Sequence, residues 1–474
     1  MARAILGIDI GTTSICGVAV SRGGDLLASV ERPNDSAVPS LAAGRAQQAP
    51  LRIRERAYEV IRELAGQAGG VECVGFTGQM HGMLCVDADG TPLGNLITWQ
   101  DGRCLEPAAP DGRTWLDLMR GLAQPDAWDV CGCLPASGFL GSTLFWMCRN
   151  GAVPRDAARV CFVHDWIASQ LTGEPPTTDP TDAGSAGIFD VQRMNWHAGL
   201  IRDLDLPASL LPPVRRSGEV IGSTNPSAAA ATGLPPGTPV CNALGDNQAS
   251  VLGSVAEPDR TVLVNIGTGG QISWVIPTFH RVGGMETRAL PHDRLMLVGA
   301  TLCGGRAYAW LNDTVCGWLS AFGGCPDRAG VYARLNELAA SAPPGCGGVR
   351  AITTFAGTRS SPQLRGGFEG LSLDNFSSAN AARAVLEGLV DELCLYHDRV
   401  DSSLKRGHEA VVASGNAIRK NPLLREILSA RLGLPVLLPC HREEAAYGAA
   451  LVAGTGAGVW NTLADAARVI RYQT

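Results

Sequence analysis

The stretch "GIDIGTTSICG", residues 7–17, decides how this chain is read. Ile5, Leu6 and Ile8 form an apolar run that leads into Asp9. Gly11, Thr12 and Thr13 follow, and apolar residues return at Ile15, Val18 and Val20. The pattern predicts a strand over 5–10, a tight turn, and a returning strand over 15–20. A carboxylate at the strand end and a turn of glycine and hydroxyls suit a metal ion and phosphate oxygens. Glycine lets backbone N–H groups approach closely, such groups form an anion-binding concavity, and Thr hydroxyls add donors. The stretch also reads as an ordinary hairpin with Asp9 as a turn former.

A second copy favours the phosphate reading. "NIGTGG", residues 265–270, lies within "TVLVNIGTGGQISWV", residues 261–275, again between two apolar strands. Two copies, one near the start of each half, predict two related domains facing one another, divided at 1–248 and 249–474. Neither turn is a Walker loop, since GxxxxGK[ST] is absent, and "GTGGQI" runs into strand-like rather than helical residues.

Further elements alternate between helix and strand. Ala57, Val60, Ile61 and Leu64 share helical spacing, and "VECVGFTG", residues 71–78, reads as a strand. Helices are expected over 381–395, 422–432 and 443–452, with "PPGTP" and "APPGCGG" as loops. The chain has 474 residues, 45% hydrophobic and 18% charged, enough for at least two cores. The net charge of −6, without a basic cluster, excludes a nucleic-acid binder. No apolar run is long enough to cross a bilayer, and the opening residues lack a signal-peptide layout. The 15 cysteines are scattered, with no CxxC pair, which predicts free thiols in a reducing, cytoplasmic compartment.

Between the two turns lies "NALGDNQASVLG", residues 242–253, where Asp246 stands in an uncharged stretch. It is a candidate general base for a hydroxyl attacking a γ-phosphate, or a helix N-cap.

With these motifs in hand, the chain resembles the FGGY carbohydrate kinases, members of the actin-like ATPase superfamily. The resemblance runs in order from "GIDIGTTS" through "GFTGQMHG", "ITWQDGR", "ALGDNQAS" and "VNIGTGG" to "ASGNAIRKN" and "EEAAYGAAL". It implies an α/β fold of two ribonuclease-H-like domains flanking a catalytic cleft, with ATP and Mg²⁺ as cofactors. It implies Asp246 as catalytic base and Asp9 as the metal residue. Gln79, Met80, His81, Trp99, Asp101, Arg103 and Asn247 would bind the sugar. Gly11, Thr12, Thr13, Gly267, Thr268, Gly304, Gly305, Gly415, Asn416 and Asn421 would bind ATP. Within the family, "GQMHG", "TWQDGRC" and "LGDNQASV" are most similar to kinases of the seven-carbon ketose sedoheptulose; a xylulose kinase is next. Glycerol-specific members carry Arg–Glu in place of Met80–His81. Two departures stand out: Cys16 occupies a position often basic in the family, and Asn416 replaces a glycine. Cys16 leaves open a weakly catalytic sugar- or nucleotide-binding regulator. The expected partners are small molecules only, with a monomer or homodimer as the working unit.

Overall fold

The computed structural model describes residues 3–358, 361 and 363–473. The opening stretch forms β1 (Ala4–Ile10) and β2 (Ser14–Val20), an antiparallel pair, and β2 pairs in turn with β3 (Leu26–Pro33). On its other side β1 runs parallel to β4 (Val71–Gly78). The sheet continues through β5 (Val220–Ser223) and β6 (Pro239–Cys241) in the order β5-β6-β4-β1-β2-β3, and the short β7 (Leu244–Gly245) also pairs with β4. The second sheet has β8 (Thr261–Ile266), β9 (Gly270–Ile276), β10 (Glu286–Leu290), β11 (Arg294–Thr301), β12 (Ala410–Ser414) and β13 (Val436–Leu437), ordered β10-β11-β9-β8-β12-β13. The first sheet sets a run of three antiparallel strands beside parallel ones and the second a run of four, and β8 and β12 repeat the relation of β1 and β4. The duplication expected from the two Gly-Thr turns is present in the topology.

Helix α1 (Pro50–Gln67) starts on Pro50, whose missing N–H costs nothing there, and buries Ile53, Ala57, Val60, Ile61 and Leu64. These side chains pack with Leu6, Ile8, Val74 and Phe76 beneath the first sheet. At about 1.5–3 kcal/mol per fully buried large side chain, this face alone fixes the helix. The second core gathers Val262, Val264, Trp274 and Leu297 against Leu389 and Leu393 of a long helix, Ser378–Arg399. A third, smaller core, around Met83, Leu140, Leu144 and Phe162, underlies the segment that carries Trp99–Arg103.

Most elements begin and end within a few residues of the sequence reading. Strand Val71–Gly78 and helix Pro422–Leu432 match it, while the 381–395 helix extends to 378–399. Position 248 lies inside α4 (Asp246–Ser254). The C-terminal helix α9, Glu444–Gly456, lies on the first sheet and against α4. Gly7 is explained by that packing: a Cβ there would lie 1.9 Å from the Ala446 carbonyl. Gly448 likewise lets α9 touch α4, where a Cβ would lie 1.9 Å from the Ala249 carbonyl. No helix among the described residues is long and apolar enough to cross a membrane.

Candidate active site

Asp9 sits within β1, paired across the hairpin with Cys16 and beside Thr77 of β4, rather than in the turn itself. Its Oδ1 is buried without a hydrogen-bond partner. Burial first, then the charges of Asp246 and Glu443, push its carboxyl up to about 8. A buried, unpartnered carboxylate oxygen that feels two further carboxylate charges fits a divalent cation such as Mg²⁺, which takes oxygen ligands and keeps much of its water. Glu443 escaped the sequence reading, although the paired acids before the Ala/Gly-rich "AAYGAAL" were its signal. Cys16 lies among the same acids, its thiol pushed up by burial and by Glu443 and Asp9.

Asp246 is the first residue of α4, whose cap is Gly245. Its side chain is therefore not spent as an N-cap. Burial raises its carboxyl, opposed by the Asn247 backbone N–H and by the charges of Arg288 and His164. A raised carboxyl is a better proton acceptor. The backbone that carries Asp246 is held from below: the Gly245 N–H donates to Thr181 Oγ1 at 2.8 Å, and Thr181 donates to Asp179. Beside Thr181, His164 Nε2 lies 2.6 Å from Asp182 Oδ2, both fully buried. Burial lowers His164 and raises Asp182. This layer under Asp246 was not read from the sequence; the paired acids of "TDPTDAG" were the available hint.

Thr12, Gln79 and Trp99 form one network. Thr12 Oγ1 donates to Gln79 Oε1 (3.1 Å) and accepts from Trp99 Nε1 (3.0 Å). Gln79 Nε2 donates to Gln48 Oε1 (2.8 Å), and Gln48 returns to the Thr12 carbonyl (2.9 Å). The Thr12 hydroxyl thus ties the first turn to the Trp99 wall, while Thr13 is exposed. The Gly11 carbonyl accepts from Asn34 Nδ2 at 2.8 Å, which braces the turn. Trp99 is 46% exposed, an aromatic face left open to solvent. Met80 is buried instead, its Sδ and Cε packed against Gly245.

His81 adopts a left-handed φ of 82°, a strain of about 1–3 kcal/mol that surrounding contacts must hold. Its ring stacks on Phe139 at 3.9 Å, and Nδ1 donates to the Ser185 carbonyl at 2.9 Å. Asp101 and Arg103 are buried in a bidentate pair, with Nε–Oδ1 at 2.8 Å and Nη2–Oδ2 at 3.1 Å. Asp101 also accepts the Ala46 and Arg103 N–H groups, and Arg103 lies over Trp146. Burial opposes the Asp101 charge, but these donors hold its carboxyl below the usual range. The pair builds the loop beneath Trp99. Asn247 Nδ2 donates to Gln271 Oε1 (2.6 Å), and its Oδ1 accepts from Arg288 Nη1 (3.1 Å). Gln271 is the second residue of β9, just after the second turn, so the helix that carries Asp246 meets the second hairpin directly.

The glycines expected at the nucleotide converge. The Gly305 N–H donates to the Gly267 carbonyl at 2.8 Å, at the start of α5 (Gly305–Ala321). A Cβ on Gly304 would lie 2.1 Å from the Gly269 carbonyl, and one on Gly415 2.6 Å from that of Ile266. Gly267, Gly304, Gly305 and Gly415 are thus one knot of backbone, with Thr268 exposed beside it and Asn416 exposed at the start of α7 (Asn416–Lys420). Asn421 is buried and structural: its Oδ1 caps the Pro422–Leu432 helix at Leu424 N, and its Nδ2 donates to Asn336.

Two lobes of repeated topology, each with a Gly-Thr turn between its first two strands, define the actin-like ATPase fold. The chain matches the FGGY family of carbohydrate kinases over residues 4–253 for the N-terminal domain and 277–457 for the C-terminal domain. It belongs to that family. Among relatives, it is 29% identical to the sedoheptulokinase of Homo sapiens, covering 94% of this chain and 96% of that one. It is also 29% identical to the glycerol kinase of Methylibium petroleiphilum, covering 96% and 91%. The structure of xylulose kinase from Rhodospirillum rubrum superposes with a TM-score of 0.86 at 27% identity, covering 100% of this chain and 93% of that one. The chain is therefore a carbohydrate kinase.

Proposed function

We propose that the chain transfers the γ-phosphoryl group of ATP to the terminal hydroxyl of a ketose, with sedoheptulose the favoured acceptor and xylulose the runner-up. The observation that carries this reading is Asp246: a raised carboxyl, free of capping duty, between the first turn and the second hairpin. The acceptor hydroxyl gives its proton to Asp246 as its oxygen bonds to the γ-phosphorus. The bond from phosphorus to the bridging oxygen breaks, and its electron pair leaves with ADP. The Gly267–Gly304–Gly305–Gly415 knot and the first turn grip the nucleotide with backbone N–H groups. Trp99 offers the sugar an apolar face, and His81 adds a polar contact. Asp9, with Asp246 and Glu443 close by, would hold Mg²⁺, which neutralises phosphate charge when bound. Residues 1–248 then serve the acceptor and 249–474 the nucleotide, with α9 bridging the two. The thiol pattern suits a cytoplasmic setting: 12 of the 15 cysteines are buried and all are free.

The human sedoheptulokinase likeness supports a seven-carbon ketose, and the xylulose kinase likeness supports the pentulose alternative. ADP release measured across glycerol, xylulose, gluconate and sedoheptulose tests the reading. The highest kcat/KM is expected with sedoheptulose. A preference for glycerol would overturn the ketose assignment, and no turnover on any polyol would favour the regulator.

A further inference from the structure

The layer beneath Asp246 holds a cluster of acids and one imidazole that the proposed transfer does not use. Helix Val163–Thr172 brings His164 and Asp165, and the short helix Pro180–Ala183 brings Asp182. All three are buried, and one donor atom from each lies within 4.8 Å of the others. Asp165 contributes an oxygen without a hydrogen-bond partner, since its Oδ1 and Oδ2 are both buried and unpartnered. Asp182 Oδ1 is unpartnered as well, and so is the Thr178 hydroxyl beside Asp165. The imidazole is held in place: a Cβ on Gly78 would lie 2.8 Å from His164 Nδ1, so the ring rests against the end of β4.

Protonation does not satisfy these atoms. A proton on Asp165 removes a charge and leaves its oxygens without partners, and buried polar atoms are rarely left so. Among the described residues, no Arg or Lys pairs with Asp165, Asp179 or Asp182; the ion pair of this cluster is that of His164 with Asp182. Asp179 is already bonded, to Thr181, Ser217 and the Asp182 N–H. Buried charges persist in proteins when they are paired or coordinate a metal. One imidazole nitrogen with two carboxylates is a ligand set that Zn²⁺ accepts, and the nitrogen favours it over Mg²⁺. Burial also keeps His164 neutral, the form that ligates.

We propose that His164, Asp165 and Asp182 bind a divalent ion of the Zn²⁺ class, at a site separate from Asp9. The ion takes the place of the proton that His164 and Asp182 share at 2.6 Å, and that proton leaves for solvent on binding. Thr181, next to Asp182, accepts the Gly245 N–H, so the ion braces the backbone that carries Asp246.

Metal content of the full-length protein tests this. Expressed with ZnCl2 and desalted in a weak chelator such as citrate, the wild type is expected to keep about one Zn²⁺ per chain, as closed structural sites do. Expressed with CoCl2 instead, it should show the visible bands of Co²⁺ on nitrogen and oxygen donors, without sulfur-to-metal charge transfer. Asp165→Asn should lose the ion or hold it more than about 100-fold more weakly, beyond the usual cost of losing an outer-shell partner. Asp9→Asn should keep it. A wild type that retains no Zn²⁺ would overturn the proposal and leave the cluster to protons and water. A sulfur charge-transfer band would place the metal on cysteine, and loss in Asp9→Asn would place it at Asp9; either overturns the proposal, as does full retention in Asp165→Asn. The wild-type count and spectrum decide even where a variant does not fold.

Discussion

The two Gly-Thr turns occupy equivalent places in two sheets of the same topology, yet they carry different chemistry. Asp9 and Asn265 correspond: each lies in the first strand of its sheet, beside Thr77 and Ser414 respectively. Asn265 is satisfied, its Nδ2 donating to Ser414 Oγ at 2.9 Å. Asp9 keeps a buried oxygen without a partner and feels the charges of two other carboxylates. The first turn spans four residues between its last paired positions, Ile10 and Ile15; the second spans three, between Ile266 and Gly270. One copy of the motif thus keeps an ionisable carboxyl with an unsatisfied oxygen, while the other is closed and neutral. The difference teaches a division of labour. On the function proposed above, the first turn would serve a cation and the reacting groups, while the second packs backbone to backbone.

Making the first turn like the second should break the comparison most severely. Asp9→Asn is expected to cut turnover by at least about 100-fold and to raise the Mg²⁺ concentration for half-maximal rate, since an electrophilic metal supplies several kcal/mol. ADP release followed across a Mg²⁺ series checks both. The same residue predicts a pH effect. With its folded carboxyl near 8 against an ordinary value of 3.8, the native state binds the extra proton between those pH values. Stability from this group is complete below about 4 and is lost as pH rises through about 8. Thermal melts without divalent cation should therefore fall over that window, and the fall should flatten in Mg²⁺ or in Asp9→Asn.

A second effect separates scaffold from contact on the acceptor side. Asp101→Asn leaves the buried Arg103 without its charge partner and should cost about 3 kcal/mol of stability, as broken buried pairs do. Urea melts measure it; a change in sugar KM without loss of stability would return Asp101 to the acceptor. His81→Ala should raise the sugar KM by about tenfold and leave the ATP KM within twofold, the split expected of an acceptor contact. The smallest effect belongs to the satisfied turn. Asn265→Ala removes one hydrogen bond and should cost about 1 kcal/mol in stability, with little change in turnover.

Much of this was legible in the residues because periodicity and turn chemistry are local. The hairpin around Gly11, the strand Val71–Gly78 and the helix beginning at Pro422 all follow from neighbours in sequence. Asp9 and Asp246 stood out as lone carboxylates in apolar or uncharged stretches. Long-range partners were not legible. Nothing near residue 101 says that its carboxylate will also take the Ala46 N–H, or that Asn421 will reach Asn336. The Thr12–Gln79–Gln48–Trp99 network joins four separate segments, and Glu443 reaches Asp9 from the far end of the chain. The packing of α9 on the first sheet is the same kind of fact, visible in the sequence only as Gly7 and Gly448 where larger residues would otherwise serve.

Asp246→Asn is the most direct test, because it keeps shape and removes only the proton acceptor. Single-turnover phosphoryl transfer to sedoheptulose, with MgATP affinity measured in parallel, should show a rate lower by about 10²–10⁴-fold, the usual contribution of a general base, and an ATP Kd within twofold of wild type. A near-normal transfer rate in a correctly folded Asp246→Asn protein would contradict the assignment of Asp246 as the base.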